Sequence, residues 1–398
     1  MNTVLNQAKI QAIKKRSTFP FPACVSPSPR PRLKISDDVF NELVDELFTP
    51  FPRSDQRGKG FDYLLGLLYT PGRKSIRNMA TLFGDAAVGQ SLHHFICSST
   101  WEWEPVRQRL ARYLVRRTTP RAWVVRPLVI PKGGRHSVGV VRYFSDDEGQ
   151  VINAQRAVGV WLASEQACVP VEWSLHLPGG GGGLPRGRGP LAPHDTTLAS
   201  SAMDACLRMR HGWNIPPQPV ILDLGEVFPA ESVLWLKSAG LLPIARVSDE
   251  LQLRVADPAL TGHGGQQLSA HQIMLAAREL RRPVVPGPNT PSEPGRHASL
   301  SAAVRVNDPN RPGEQLTLVG SGTGNRSWPD DLWLTTLARD QAVAAAAGAR
   351  KQVSRVERSL SDVSDRVGMR DYAGRSYNGW HRHITLASAA HAVSALSV

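Results

Sequence analysis

Cysteine is scarce in this chain of 398 residues. The four cysteines are Cys24, Cys97, Cys168 and Cys206, and no two of them form a CxxC pair. They also lack histidines at zinc-finger spacing, which argues against a zinc finger. A disulfide framework is not expected in a chain of this size with so few cysteines. The pattern indicates reduced, buried thiols in a cytoplasmic protein.

Long apolar runs and acidic residues are also in short supply. No apolar run approaches the roughly 18 residues that a membrane helix needs, so we expect no membrane span. The basic residues near the start are not followed by an apolar segment, so we expect no secretory signal. Lys+Arg number 47 against 34 Asp+Glu, which gives a formal charge of +13. This excess favours a polyanionic partner, such as double-stranded DNA, or an anionic surface. The expected location is the cytoplasm, in association with the nucleoid.

Composition divides the chain into three regions. Residues 1–35 carry seven basic side chains and no acidic one. With the prolines of 19–22 and 26–31, this region offers too little apolar area to offset the entropy of ordering it. We interpret it as a flexible basic arm, although a leader without any role fits the same composition.

Residues 36–118 show helical periodicity and a basic surface. Ser36 is suited to cap a helix, and apolar residues then recur at positions 39, 40, 43, 44, 47 and 48. Further helices are predicted over 58–69, 75–83, 87–97 and 104–117, the last rich in arginine. We interpret this region as a helical, DNA-binding domain.

Residues 119–398 combine strands and helices. Period-two patterns predict strands over 122–130, 136–144, 150–163 and 167–176, and a glycine-rich loop follows at 179–190. A helix (195–211), a buried strand (219–223), a helix (229–239) and a strand (242–247) come next. A strand-rich insertion over about 249–325 then precedes helices predicted at 331–367, with a break at Gly348, and at 379–396.

This order is that of a ribonuclease-H-like core. The expected fold class is α+β or α/β, with a helical N-terminal domain and a mixed sheet flanked by helices that carries a β-rich insertion. In such a core, acidic residues on the first strand, at the end of the fourth and on a later helix hold two divalent metals about 3.5–4 Å apart. Carboxylates suit that work because Mg²⁺ prefers hard oxygen ligands.

Several separated blocks give the chain a more specific resemblance. The most distinctive are PKGGRHSVGV at 131–140 and GRSYNGWHRHITL at 374–386, and others lie at 53–57, 67–77 and 169–178. By these blocks the chain resembles DDE-type insertion-sequence transposases from about residue 36 to its C-terminal end. The resemblance implies a DDE superfamily endonuclease that cuts and joins DNA with Mg²⁺ or Mn²⁺.

The resemblance places the family's catalytic and metal-binding acids at two positions. The second Asp corresponds to Asp223, after the run Val220 to Leu222, and the Glu corresponds to Glu357. Arg355 matches the family pattern beside that Glu, whereas the preceding Arg-Trp pair is replaced by Val353 and Ser354, and Ser364 lies near an expected lysine.

The first catalytic Asp is missing. Arg126 and Pro127 occupy the places of the family's Asp-Asp pair. Arginine has no acceptor and cannot ligate a cation. Its guanidinium is instead expected to pair with Asp223 or Glu357 in the metal position, which predicts a catalytically impaired, divergent member of the family.

DNA contacts are expected from basic residues in the resembling blocks. The helix start at 70–77 either meets a phosphate or is simply solvated, and the basic turn after the first strand leaves the same two readings. The candidate residues are Arg73, Lys74, Arg77, Lys132, Arg135, His136, Arg355 and Arg375.

Three functions remain open on the sequence. The first is an active transposase that uses another carboxylate, and the second is a relative that has lost catalysis but still binds DNA. The third is a domesticated regulator or scaffold on an inherited fold. Whether the chain is an enzyme, and whether it forms a homodimer, are left open.

Overall fold

Helices make up the first third of the molecule. The computed structural model describes residues 2–17, 33–145, 149–177, 197–225, 230–284, 299–323 and 328–397. The predicted glycine-rich loop at 179–190 lies outside these residues. The helices are α1 (Asn2–Ser17), α2 (Asp37–Leu47), α3 (Ser54–Tyr69), α4 (Ile76–Phe83), α5 (Ala86–Cys97) and α6 (Trp103–Arg117).

Helix α2 shows how the predicted helical pattern is realised. The Ser36 side chain accepts a hydrogen bond from the Val39 backbone N–H, which satisfies one of the unpaired donors at the helix start. The apolar residues that recur at helical spacing all face the core, and Phe40, Leu43 and Leu47 are almost completely buried. The helix therefore follows from its sequence.

Helix α1 replaces part of the expected flexible arm. Ile10 and Ile13 lie one turn apart and are buried in the core. Lys9 pairs with Asp62 on α3 at 2.5 Å, and Lys14 pairs with Asp37 at 2.6 Å. The isoleucines give this segment the apolar face that the composition argument overlooked. Residues 18–32 lie outside the described part of the chain.

The central sheet has the expected ribonuclease-H-like order. Strand β3 pairs antiparallel with both β1 and β4, and β1 pairs in parallel with β5, which pairs in parallel with β6. A short strand, β2, extends the β3 edge. The strands are β1 (Pro120–Pro131), β2 (Val140–Ser145), β3 (Gln150–Ser164), β4 (Cys168–Leu175), β5 (Pro219–Leu222) and β6 (Leu242–Arg246). Helices α7 (Leu198–Gly212) and α8 (Ala230–Ser238) lie between β4 and β6 in the chain.

The insertion continues the same sheet. Its strands run in the order β6-β12-β11-β10-β7-β8, so that β12 returns the chain to the core. The elements are β7 (Gln252–Val255), β8 (Gln267–Ser269), α9 (Ala270–Ala276), a 3₁₀ turn (Arg278–Leu280), β9 (Arg282–Pro283), β10 (Leu300–Asp308), β11 (Arg311–Gly322) and β12 (Asp331–Thr335).

The last third corrects one prediction. The expected helix over 331–367 begins with the strand β12, because Leu332, Trp333 and Leu334 enter the sheet beside β6 and β11. Helix α10 (Arg339–Ser359) follows without a break at Gly348, and it ends in a π-helical turn, Leu360–Ser364. The final helix is α11 (Tyr377–Leu396).

Helix α11 joins the helical region to the sheet. It contacts α3, α5 and α6 on one side and β4 on the other, and nearly all of its residues are buried. The buried apolar residues of both regions form one continuous core. The proposed boundary at 118/119 therefore separates two segments of sequence that share a core.

Candidate active site

The structure brings the three residues at the expected catalytic positions together. Arg126 follows the last β1 residue that pairs with β5, Asp223 follows the end of β5, and Glu357 lies near the end of α10. Arg126 Nε lies 3.2 Å from Asp223 Oδ2, and Arg126 Nη2 donates to Glu357 Oε1 at 2.8 Å. One guanidinium therefore bridges the two acids.

The three side chains differ in exposure. The Asp223 side chain is 5% exposed, that of Arg126 17% and that of Glu357 53%. The Arg126–Asp223 contact lacks hydrogen-bond geometry, and Arg126 Nη1 is buried without a hydrogen-bond partner in the described part of the chain. The Asp223 end of this bridge is thus buried, whereas the Glu357 end is open to solvent.

Pro127 fits its strand better than its residue type suggests. A proline in a central strand removes one ladder hydrogen bond. The parallel pairing of β1 with β5, however, ends at Val125 opposite Leu222, and the Val125 carbonyl accepts from the Asp223 N–H at 3.0 Å. Pro127 therefore lies beyond the paired stretch, where β5 needs no donor from it.

Two further arginines continue the arrangement, and no motif or spacing in the sequence pointed to them. Arg246, at the end of β6, lies 3.4 Å from Asp223 Oδ1 and 2.5 Å from Asp331 Oδ1. Arg350 on α10 pairs with the other Asp331 oxygen and donates to Ser321 Oγ at 2.6 Å. We call the chain Glu357–Arg126–Asp223–Arg246–Asp331–Arg350 the arginine network.

The arginine network balances its own charge. It alternates three carboxylates with three guanidinium groups. Burial disfavours the charged form of Arg246, but Asp331 and Asp223 outweigh this effect, and the pKa of Arg246 lies above its usual value. The carboxylates therefore have internal counterions.

The residues present do not fit a divalent metal. Both Asp223 oxygens face arginine, and a guanidinium occupies the space between Asp223 and Glu357. Among the described residues, no group of three or more His, Cys, Asp or Glu side chains is placed to hold a metal ion. A fixed cation between two carboxylates also opposes metal entry by Coulomb repulsion.

A basic face forms where three chain segments meet. The turn around Arg73, the turn after β1 and the loop before α11 meet, with the Val138 N–H donating to the Arg375 carbonyl at 3.1 Å. Five of the candidate DNA-contacting residues are exposed there. This basic face consists of Arg73, Arg77, Arg135, His136 and Arg375.

Two lysines at the basic face are engaged inside the protein. Lys132 Nζ donates to the Tyr372 carbonyl at 2.5 Å, and burial, with Arg73 nearby, lowers its pKa to about 8. Lys74 is 4% exposed, its Nζ donates to the Thr70 carbonyl, and burial lowers its pKa to about 8. The Lys74 side chain is covered, so its predicted contact with phosphate would require this segment to open.

Arg355 is also committed to an internal contact. Its guanidinium donates to the carbonyls of Ser164, at 3.1 Å, and Glu165, at 2.6 Å, and pairs with the Glu165 carboxylate. It therefore holds α10 against the turn between β3 and β4. Its predicted contact with DNA would require this clamp to open.

Four of the five arginines of α6 are engaged by other groups of the protein. Arg107 is 1% exposed, and Arg112 donates to the Trp213 carbonyl at 3.1 Å. Arg116 and Arg117 pair with Glu46 and Glu42 of α2. The basic surface expected on this helix is thus smaller than its sequence suggested.

The buried residues of two of the blocks that carry the family resemblance, 169–178 and 374–386, make contacts inside the protein. Glu172 on β4 is buried. Its Oε2 lies 3.3 Å from Arg107 Nη1, and its Oε1 lies 2.9 Å from Arg208 Nη2. His381 Nδ1 lies 2.9 Å from Arg107 Nη2, and Arg382 donates to the carbonyls of Trp101 and Ile96. These polar groups join α11 to the helical region and to β4, and Trp380 is buried as well.

Comparison with known proteins identifies a family that the chain matches. Residues 46–311, well over half of the chain, match a family model described as DDE superfamily endonuclease. The match includes Arg126 and Asp223 and ends before Glu357. A search of curated proteins found no significant match. No described helix is long and apolar enough to cross a membrane.

Chains of solved structures also match, and one of them belongs to a transposase complex. It comes from the cryo-EM structure of a piggyBac transposase synaptic complex with hairpin DNA, and it matches at 11% identity and a TM-score of 0.39. The alignment covers 92% of this chain and 72% of that one.

Proposed function

Because the chain belongs to the DDE superfamily endonucleases, we propose that it is a DNA-binding member of that family in which Arg126 has closed the catalytic site. The observation that carries the proposal is the double contact of Arg126 with Asp223 and Glu357. The family's enzymes generally use divalent metals, and here a guanidinium lies where the carboxylates would face one. The chain is therefore expected to recognise DNA without cutting it.

DNA binding is supported by charge and by the basic face. The formal charge is +13, and Arg73, Arg77, Arg135 and Arg375 are exposed within adjoining segments. Exposed guanidinium groups bind phosphate through parallel N–H donors. A scaffold that binds only protein has no need of this concentration of positive charge. Association with the nucleoid follows as part of the same proposal.

Loss of catalysis is supported by the role that the missing carboxylate plays. In an in-line phosphoryl displacement, two metal ions stabilise the attacking and leaving oxygens. The first strand must supply a carboxylate that anchors them, and β1 supplies Arg126 instead. Removing one member of a catalytic unit removes most of the rate. The residues of this chain hold Asp223 in an ion pair and perform no step of the reaction.

The test compares the natural chain with a repaired one, Arg126→Asp with Pro127→Asp. The control is Arg142→Asp, an exposed residue of β2 that lies outside the arginine network. Thermal unfolding is followed in Mn²⁺ and in EDTA, and nicking is followed on plasmid DNA that carries the flanking sequence of the gene. We expect Mn²⁺ to stabilise only the repaired chain, and we expect no nicking by the natural chain. Metal-dependent nicking by the natural chain at the rate of the repaired one would refute catalytic impairment and favour an active transposase.

DNA binding is tested separately by fluorescence anisotropy with a labelled duplex. Affinity should fall steeply with salt, since each neutralised phosphate contributes a log-log slope of about −0.9. An affinity that stays flat between low and moderate salt would contradict DNA binding and favour a scaffold. A regulator and a stranded transposase would both show the steep slope.

A further inference from the structure

A polar cleft lies at the start of α10, between α8 and the strands of the insertion. Its volume is about 310 Å³, at the lower end of the roughly 300–1,000 Å³ typical of small-molecule sites. Its charged lining residues are Lys237, Arg305, Arg339 and Asp340. None of them belongs to the arginine network or to the basic face.

The cleft has a fixed floor. Arg305 on β10 lies opposite Thr317 on β11, which in turn lies opposite Thr335 on β12. Thr317 is 3% exposed, and its hydroxyl donates to the Leu337 carbonyl at 2.6 Å. These contacts hold the strands and the start of α10 in one arrangement, and Lys237 reaches the cleft from the last turn of α8.

Positive charge exceeds negative charge around the cleft. Arg339 lies 3.2 Å from the buried carboxylate of Asp257, which also accepts from the Arg305 N–H at 2.9 Å. Lys237 and Arg305 are exposed and have no ion-pair partner among the described residues. Three cations thus face Asp340 and Asp257, and two of the cations are free to bind an anion.

The start of α10 adds donors to this charge. Ala338 is its N-cap residue and offers no side-chain oxygen to the helix. The first backbone N–H groups of an α-helix have no intrahelical acceptor. Because Ala338, Arg339 and Asp340 line the cleft, these donors are available there in addition to Lys237 and Arg305.

We propose that this cleft binds a phosphate group, held mainly by Lys237 and Arg305. Along α10, Arg350 lies 11 residues and Glu357 18 residues beyond Arg339, which corresponds to about 17 Å and about 27 Å at about 1.5 Å per residue. The site is therefore separate from the arginine network. Its ligand is either free inorganic phosphate or a phosphate of a DNA backbone, and the chemistry of recognition is the same for both.

Calorimetric titration with inorganic phosphate, in chloride buffer of matched ionic strength, tests the site. We expect saturable binding to the natural chain and a loss of about tenfold or more in the variant Lys237→Ala with Arg305→Ala, because both charge-assisted contacts disappear. The control is Lys34→Ala with Arg142→Ala, two exposed cations that remove the same charge elsewhere. The control should bind phosphate like the natural chain. Absence of saturable binding, or an equal loss in both variants, overturns the proposal.

The same variants distinguish the two sources of phosphate. If the ligand is DNA, the cleft variant lowers the salt slope of duplex binding by about 1.8 relative to the control, for two contacts at about 0.9 each. If the ligand is free phosphate, both variants keep the same slope and only the calorimetric binding is lost. Either result supports a phosphate site. Failure of the phosphate titration overturns the site while leaving the DNA binding of the proposed function untouched, since that binding rests on the basic face.

Discussion

At the scale of single residues, Arg126 changes the meaning of the acids around it. Asp223 is almost buried, and a buried carboxylate needs a partner or a shift to its neutral form. Arg126 and Arg246 provide partners on both of its oxygens. Glu357 is half exposed and can be solvated by water without Arg126. The same bridge should therefore have unequal energies at its two ends.

Double-mutant cycles should reveal this inequality. The changes are Arg126→Met with Asp223→Asn, and Arg126→Met with Glu357→Gln, measured as free energies of unfolding in urea. We expect a coupling of about 1–3 kcal/mol for the buried pair and of about 0.2–1 kcal/mol for the exposed one. Arg142→Met should change stability by less than about 0.5 kcal/mol. Equal couplings would mean that Arg126 does not stabilise Asp223 in particular.

At the scale of elements, local sequence patterns correctly predicted the features that depend on a single strand or helix. The run Val220 to Leu222 predicts a buried strand, and Asp223 then falls at its end. Lys74 could not be predicted, because its burial depends on the distant loop that carries Asp371, whose carboxylate accepts from the Lys74 N–H at 2.7 Å. Strand β12 was missed because Trp333 and its neighbours fit a helix as well as a strand until the insertion brings β12 beside β6.

Helix α11 makes stability depend on pH. Burial lowers the pKa of His383 to about 4 and that of His391 to about 3, from an ordinary value of 6.5. Below pH 6.5 the unfolded chain takes up protons that the folded chain does not, so stability falls as the pH drops and levels off below the folded pKa values. The slope should approach about 1.4 kcal/mol per pH unit for each histidine.

The variant His383→Gln isolates this effect. Between about pH 6 and 4.5, its free energy of unfolding should fall less steeply than that of the natural chain. The difference in slope should approach the contribution of one histidine, about 1.4 kcal/mol per pH unit. The control is His93→Gln, which changes an exposed histidine of α5 and should leave the slope unaltered. Urea unfolding at a series of pH values measures both. An unchanged slope in His383→Gln would show that this histidine titrates normally in the folded chain.

At the scale of the whole molecule, ion pairing decides which part of the +13 charge is available. Four of the five arginines of α6, together with Arg355 and the arginine network, are ion-paired, hydrogen-bonded or buried. The sequence identified the arginine-rich helix as basic but could not show that acids of α2 neutralise two of its arginines. The cations of the basic face are exposed, and they lie beside Lys132, whose pKa Arg73 helps to lower. Exposed cations without a described ion pair therefore lie on the basic face, as well as in the cleft at the start of α10.

The basic face should account for a measurable share of the salt dependence of DNA binding. We compare the natural chain with Arg73→Ala and Arg375→Ala combined, and with the control Lys34→Ala and Arg142→Ala, which has the same net charge. If both arginines contact phosphates, the log-log salt slope becomes shallower by about 1.8 in the first variant and changes little in the control. Anisotropy titrations at four or more salt concentrations, roughly 50–200 mM, resolve a change of that size. The salt slope reports the phosphates that the protein neutralises, so it should change only when cations that contact phosphate are removed. Equal slopes in the two variants would therefore mean that DNA binding depends on the net charge of the protein and not on the basic face.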